Sequence, residues 1–304
     1  MGQAAPGMPA EPRLSLTVLG SGGPIANAHR ASSGYVVSID GKARILVDAG
    51  GGIFERVGRS GLDLSTLVQI LLTHMHIDHT SDLAAILMHL YMLERKRPVA
   101  VAGPAGRPGN DAAPENARAQ PGVAEFIRLL FGVDGAWRYL NTFEGFGIDV
   151  HETSSHVWDR AIHRIPVDGI LEDLAVSIHA VAVPHGMMPA VGFRIDCGGE
   201  SVVFSGDISA STIEFITLAK NCSLLVHDLA LPERDGPDSH LHAKPSAVGR
   251  TAQDSGARTL LLSHFMPAIE DELGESVEIV AREYHGRIEL AKDLGIYQIA
   301  RGLR

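Results

Sequence analysis

Apolar residues in this chain gather in short runs that stop at glycine or small polar residues, a spacing that fits strands better than long helices. The first run covers 14–19 and ends in Gly20-Ser21-Gly22-Gly23-Pro24. Residues 35–39 and 43–47 read as a hairpin about Asp40-Gly41, its second strand closing at Asp48-Ala49-Gly50-Gly51-Gly52. A buried strand is expected over 67–72. Thr80, Ser81 and Asp82 then read as capping residues of a helix that starts at Leu83. Farther on, 174–183, 191–195, 201–204, 223–226 and 259–262 read as strands, with helices over 123–131, 212–219 and 246–255. The strands fall in two clusters, each with its helices, which predicts an α/β fold built as a four-layer αββα sandwich. Residues 107–121, rich in Ala, Pro, Gly and Asn without periodicity, read as a surface insertion in a single domain spanning 13–304. Residues 1–12 read as a disordered lead-in.

The polar residues after the 67–72 run carry the most chemistry. Residues 74–79 read His-Met-His-Ile-Asp-His, three imidazoles and a carboxylate for which a folding core has no use. Side chains alternate along a strand, so His74 and His76 leave the same side of its C-terminal end and can bind one ion together. Asp78 and His79 are expected in a loop at the N-terminus of the next helix, facing a second ion. Mixed nitrogen and oxygen donors suit zinc, with manganese or iron as alternatives. Three more candidates, His185, Asp207 and His264, each follow an apolar strand. Adjacent strand ends converge on one edge of a sheet, so seven donors scattered in sequence can meet in one site.

Composition narrows the field. A chain of 304 residues, 45% hydrophobic and 20% charged, can bury a sizeable core and has no apolar run long enough to span a bilayer. Its formal net charge of −10 and the lack of any basic stretch weigh against a nucleic-acid partner. Cys197 and Cys222 show no CxxC pattern and read as small buried apolar residues, with a disulfide between them left open. The first ten residues have neither a cationic start nor an apolar h-region, so they do not form an intact signal peptide. The expected location is cytoplasmic, or periplasmic if a signal peptide was removed from the native N-terminus. The Gly20 to Pro24 turn lacks the Gly-Lys-Ser/Thr ending of a nucleotide loop.

In their order from Gly20 to His264, these motifs resemble the metallo-β-lactamase superfamily, and within it the ribonuclease Z and arylsulfatase-like branch. The branch shows in Gly20-Ser21-Gly22-Gly23-Pro24, in Leu224-Leu225-Val226-His227-Asp228, and in Leu262-Ser263-His264-Phe265. The resemblance implies one zinc held by His74, His76 and His185, a second by Asp78, His79 and His264, and Asp207 bridging the two. For Asp48 it implies support of the ligand loop from behind. It also implies a catalytic histidine upstream of the last ligand, the place of His242, paired with an acid at the place of Asp228. Two residues depart from ribonuclease Z: His242-Ala243-Lys244 stands where that family has His-Ser-Thr, and Asp228 where it has glutamate. The span from His185 to Asp207 leaves room for a strand hairpin only. The long arm with which ribonuclease Z grips transfer RNA does not fit there, a second argument against a nucleic-acid substrate.

The activity implied is that of a dinuclear-metal hydrolase in which a hydroxide shared by two ions about 3.5–4 Å apart attacks the substrate. Asp78 would also orient the nucleophile, and His242 would serve the leaving group as an acid. The expected substrate is a phosphodiester or a similar small-molecule ester. A lactone or β-lactam is the alternative on the same ligands, and a non-catalytic binding scaffold would have lost ligands that are all present here. No membrane partner is expected, and a homodimer is compatible with the branch's habit. The remaining histidines have plainer readings. His89 and His179 pack, His240 faces solvent as the rival of His242, and His227 stands beside Asp228 either behind the site or in the core. His151, His156 and His163 fall in a polar loop around Trp158 that would overhang the cleft. Met187, Met188 and Met266 follow two ligands and would wall the pocket or pack in the core.

Overall fold

The computed structural model describes residues 14–107, 120–236 and 238–299. The expected lead-in over 1–12 lies outside them, as does most of the expected insertion, whose base is closed by an antiparallel bridge between Arg107 and Gln120. Two seven-stranded sheets stack face to face. The first contains β1 (Leu14–Gly20), β2 (Gly34–Ile39), β3 (Lys42–Val47), β4 (Gln69–Leu71), β5 (Val99–Pro104) and β6 (Ile148–Thr153). The second contains β7 (His163–Ile165), β8 (Ser177–Ala182), β9 (Val191–Cys197), β10 (Glu200–Phe204), β11 (Leu224–Asp228), β12 (Thr259–Ser263) and β13 (Arg287–Leu290). The chain then returns to the first sheet as β14 (Ile296–Ile299), giving the order β14-β1-β2-β3-β4-β5-β6 there and β13-β12-β11-β10-β9-β8-β7 opposite.

Each sheet is antiparallel on one side and parallel on the other. The parallel strands β3, β4, β10, β11 and β12 are buried almost throughout, as expected of strands covered on both faces. Helices α1 (Ile53–Ser60), α3 (Leu83–Met92) and α4 (Val123–Phe131) cover the first sheet through Ile53, Val57, Ile86, Leu90, Val123 and Ile127. Over the second lie α6 (Ile213–Leu218), α7 (Pro245–Ser255) and α9 (Leu273–Glu283). The layers are those of the predicted sandwich. Between them remain three short helices, α2 (Ile77–Thr80), α5 (Gly169–Asp173) and α8 (Pro267–Glu270).

Three local expectations differ. Asp78 and His79 do not sit in a loop; they form α2, a single helical turn entered through His76. Asp82 precedes α3 but spends its carboxylate elsewhere, accepting the Phe54 N–H at 2.9 Å and so tying α1 to the ligand loop. The strand expected over 174–183 starts only at Ser177, because Asp168 caps α5 by accepting the Leu171 N–H and Ala175 then turns through a φ of 54°.

Cys197 and Cys222 are both free and buried, and burial raises their thiols to about 11 and about 12. Among the described residues, no helix is long and apolar enough to cross a membrane.

Candidate metal centre

Six segments end at one edge of the sandwich, and each delivers a polar side chain there. Asp48 follows β3, His74 follows β4, His185 follows β8, Asp207 follows β10, Asp228 closes β11 and His264 follows β12. The two sheets are stitched together at this edge. Val191 N–H donates to the Thr73 carbonyl at 2.9 Å, and Phe265 N–H donates to the Ser21 carbonyl at 2.8 Å. Gly50 makes the edge possible: a Cβ there would stand 1.9 Å from the Asp78 carbonyl oxygen, where the β3 loop crosses α2. Asp48 and His264 hold φ values of 57° and 58°, left-handed conformations that cost a side-chain-bearing residue energy and cluster at functional sites.

All seven residues expected as ligands meet here. One potential ligand atom from each of His74, His76, His185 and Asp207 lies within 4.8 Å of the others, and the same holds for Asp78, His79 and His264. Asp207 divides its oxygens between the two groups. Its Oδ2 lies 3.8 Å from both His74 Nε2 and His185 Nε2, while Oδ1 lies 3.4 Å from His79 Nε2 and 3.3 Å from His264 Nε2. In the first group His76 Nδ1 stands 3.0 Å from His74 Nε2 and 3.1 Å from His185 Nε2. In the second, His264 Nε2 stands 3.2 Å from His79 Nε2 and 3.3 Å from Asp78 Oδ2.

The far nitrogens of three of these rings are engaged from behind, which fixes which nitrogen faces inward. His185 Nδ1 donates to the Leu241 carbonyl at 2.9 Å, His74 Nδ1 to Thr73 Oγ1 at 3.1 Å, and His79 Nδ1 to Asp48 Oδ2 at 2.8 Å. Asp48 also accepts the Thr73 N–H at 2.8 Å and its hydroxyl at 2.9 Å. Asp48 thereby orients His79 directly and His74 through Thr73, a link that sequence reading missed although Thr73 immediately precedes the first histidine.

These contacts test whether the residues fit metal ions, and they do. The inward nitrogens point at a shared centre, and Asp207 Oδ1 is buried with no hydrogen-bond partner. Five imidazoles and two carboxylates packed this tightly are otherwise costly to bury.

Without cations the buried rings divide: His74 and His76 are held neutral, while His79 keeps a proton between two carboxylates. Burial, and then the neighbouring His79, drives His74 well below the ordinary imidazole value; burial and His185 bring His76 down to about 4. Burial likewise disfavours a charged His79, but Asp207 and Asp48 outweigh it and raise that ring well above its usual value. Burial opposes ionisation of Asp207, yet His264, His79 and His74 hold it well below the carboxylate range.

His242 and Asp228 stand beside this centre. His242 Nδ1 lies 2.9 Å from Asp228 Oδ2, and its ring centroid lies 5.4 Å from that of His264 and 5.5 Å from that of His185. Burial lowers the His242 imidazole, and the hydrogen bond to Asp228 with the charge of Asp207 overcomes this, raising it to about 9. His227 is fully buried and approaches Asp228 Oδ1 at 3.0 Å, so it stands behind the site. A cavity of about 320 Å³ opens over the centre, lined by His76, Asp78, His185, Asp207, His242 and His264, with Met266 and Ile77 in its wall. His240 is exposed, and His179 faces Asp196 at 4.0 Å on β8. His151 and His163 lie within β6 and β7, so of the three histidines expected around Trp158 only His156 is in the loop.

Comparison with known proteins places these observations in a family. The sequence profile described as the Beta-lactamase superfamily domain matches residues 43–265. A Ribonuclease Z of Mycobacterium avium (strain 104) is 31% identical over 306 residues, covering 94% of this chain and 98% of that protein. The structure of human tRNase Z, short form, superposes with a TM-score of 0.71 at 22% identity, over 94% of this chain and 99% of that one. The metallo-β-lactamase fold protein YhfI from Bacillus subtilis gives a TM-score of 0.69 at 19% identity, over 94% and 99%.

These relatives overturn the expectation that a nucleic-acid partner is unlikely. The acidity argument was too coarse, because a formal charge of −10 summed over the chain does not say where the charges lie. Asp48, Asp78, Asp207 and Asp228 are all buried at this edge. Part of the acidity thus sits inside the site, and a net charge does not describe how the rest is distributed over the surface that an RNA strand would meet. The missing arm fails as an exclusion too, since relatives named Ribonuclease Z match this chain over almost their whole length. The chain belongs to the metallo-β-lactamase superfamily of hydrolases, with ribonuclease Z proteins among its relatives.

Proposed function

We propose that this protein hydrolyses phosphodiester bonds in RNA, using two divalent cations, zinc by preference. The observation that carries the reading is the divided orientation of Asp207, one oxygen toward each ligand group, in a chain about 30% identical to ribonuclease Z proteins along nearly its full length. His74, His76 and His185 with Asp207 Oδ2 would hold one cation; Asp78, His79 and His264 with Asp207 Oδ1 would hold the other. When bound, such a pair supplies a nucleophile from water at neutral pH and offsets charge on the phosphoryl oxygens.

The chain's own residues do the rest. Asp78, at the cavity wall, also orients the attacking water. Asp228 accepts from His242 Nδ1 and favours the charged imidazole, which leaves its Nε2–H free to donate. As the phosphorus–oxygen bond to the leaving nucleotide breaks, this proton passes to the departing oxygen, and the imidazole regains a proton from solvent. Asp228 closes the fully buried β11, and Ala243 N–H donates to the Ile208 carbonyl at 2.7 Å, anchoring the loop that carries His242.

The test is cleavage of a structured precursor RNA by the zinc-loaded protein, with the cut site mapped and a homoserine lactone and a cephalosporin run beside it. A discrete RNA cut supports the reading; turnover of the lactone or lactam alone refutes it.

A further inference from the structure

Next to the cavity over the metal centre is a second hollow of about 140 Å³, and His185 lines both. It is lined by the loop carrying His185, with Met187 and Met188, by the loop after β6, with His156 and Trp158, and by Arg107. The Trp158 indole is 87% exposed. Burying so large an aromatic surface would stabilise a fold considerably, so an indole left in water at the lip of a hollow beside a reaction centre is placed for a ligand. Met187 lies half-exposed beneath Arg107, whose Nη1 approaches its Sδ at 3.7 Å. Polarizable thioethers, an open indole face and a guanidinium together suit a flat, electron-rich ring attached to a phosphate.

We propose that this hollow receives an unpaired nucleobase flanking the scissile phosphodiester, with Trp158 stacking on the base and Arg107 facing the adjoining phosphate. The inference rests on the RNA reading above and adds a recognition subsite to it. Stacking on an aromatic face tolerates any base, so the subsite would favour single-stranded RNA at this point without reading its sequence.

The chain has two tryptophans, and Trp137→Phe leaves Trp158 as the sole indole reporter. Titrating that variant with a short unstructured oligoribonucleotide should quench the indole emission saturably, and the same strand made abasic should not. In parallel, Trp158→Ala should raise KM for RNA about tenfold with a much smaller fall in kcat, and Trp158→Phe should recover most of the loss. If the wild type cuts RNA but emission and KM do not respond, the subsite is wrong and the proposed function stands. Quenching without cleavage would leave a base-binding hollow but refute the proposed function, and with it the placement of that base beside a scissile bond. Equal quenching by the abasic strand, or an emission change that follows protein concentration alone, would overturn the subsite, the latter marking a contact between copies of the chain.

Discussion

His242 Nδ1 and Asp228 Oδ2 lie 2.9 Å apart in a buried pair whose histidine borders both ligand groups. His242 falls in a third possible grouping with Asp207 and His264, but neither it nor Asp228 is needed to complete the two groups that converge on Asp207 Oδ2 and on Asp78, so their loss tests catalysis apart from metal binding. His242→Ala should retain two metals per chain by elemental analysis while kcat on RNA falls about 10²-fold or more. Asp228→Asn should lower kcat in the same direction by a smaller factor, as a positioning residue whose amide no longer holds the imidazole charged. Full activity in His242→Ala would remove it from the mechanism.

Asp48 organises two of the inward histidines without facing the centre itself. Replacing it with Ala frees His79 Nδ1 and leaves the buried Thr73 N–H unsatisfied. Removal of such a supporting carboxylate typically weakens metal binding about 10–100-fold. Competition against a chelator of known affinity should read that loss, and an unchanged affinity would mean that His79 is oriented by other contacts.

Gly50 is the point where the β3 loop touches α2. An added methyl would meet the Asp78 carbonyl oxygen at 1.9 Å, a separation that only backbone movement can relieve. Gly50→Ala should cost about 1–3 kcal/mol in a denaturant titration and displace Asp78 and His79 enough to lower the metal content. By contrast, Gly41→Ala has open space around its Cβ, and its cost should come from its φ of 72° alone.

Stripping the metals should also weaken the fold. Asp207 Oδ1 and the inward imidazole nitrogens would then lack the partners that offset their burial. Returning zinc in excess to the chelated protein should raise the thermal midpoint by about 5–10 °C. A midpoint indifferent to zinc would contradict the ligand assignment.

Much of this site was legible in sequence because it is built from strand ends. Apolar runs end sharply, and a His or Asp just after such a run, as at His74, His185, Asp207 and His264, is visible without any structure. The edge strands were harder to read. β6 alternates poorly, with partly exposed His151 among its residues, and β13 carries Arg287 and Glu289 within four residues. Such strands take their place from pairing with a neighbour, a contact distant in sequence. The Thr73 relay was invisible for a related reason: its meaning depends on Asp48 lying across the β3–β4 pair. A nucleic-acid partner was set aside because net charge says nothing of where charge lies on the surface. The Trp158 hollow joins the loop after β6 to the loop after β8, and nothing in the spacing of 154–162 announces that neighbour.

The central claim, RNA phosphodiester hydrolysis at the Asp207 centre, is tested most directly by single-turnover cleavage of a precursor RNA with the zinc-loaded wild type and with Asp207→Ala. The account predicts one discrete cut by the wild type, abolished by chelation, restored by zinc, and absent in Asp207→Ala, which should also fail to retain two metals. RNA left intact by a wild-type protein that carries both metals, or cleavage that persists in Asp207→Ala, would contradict it.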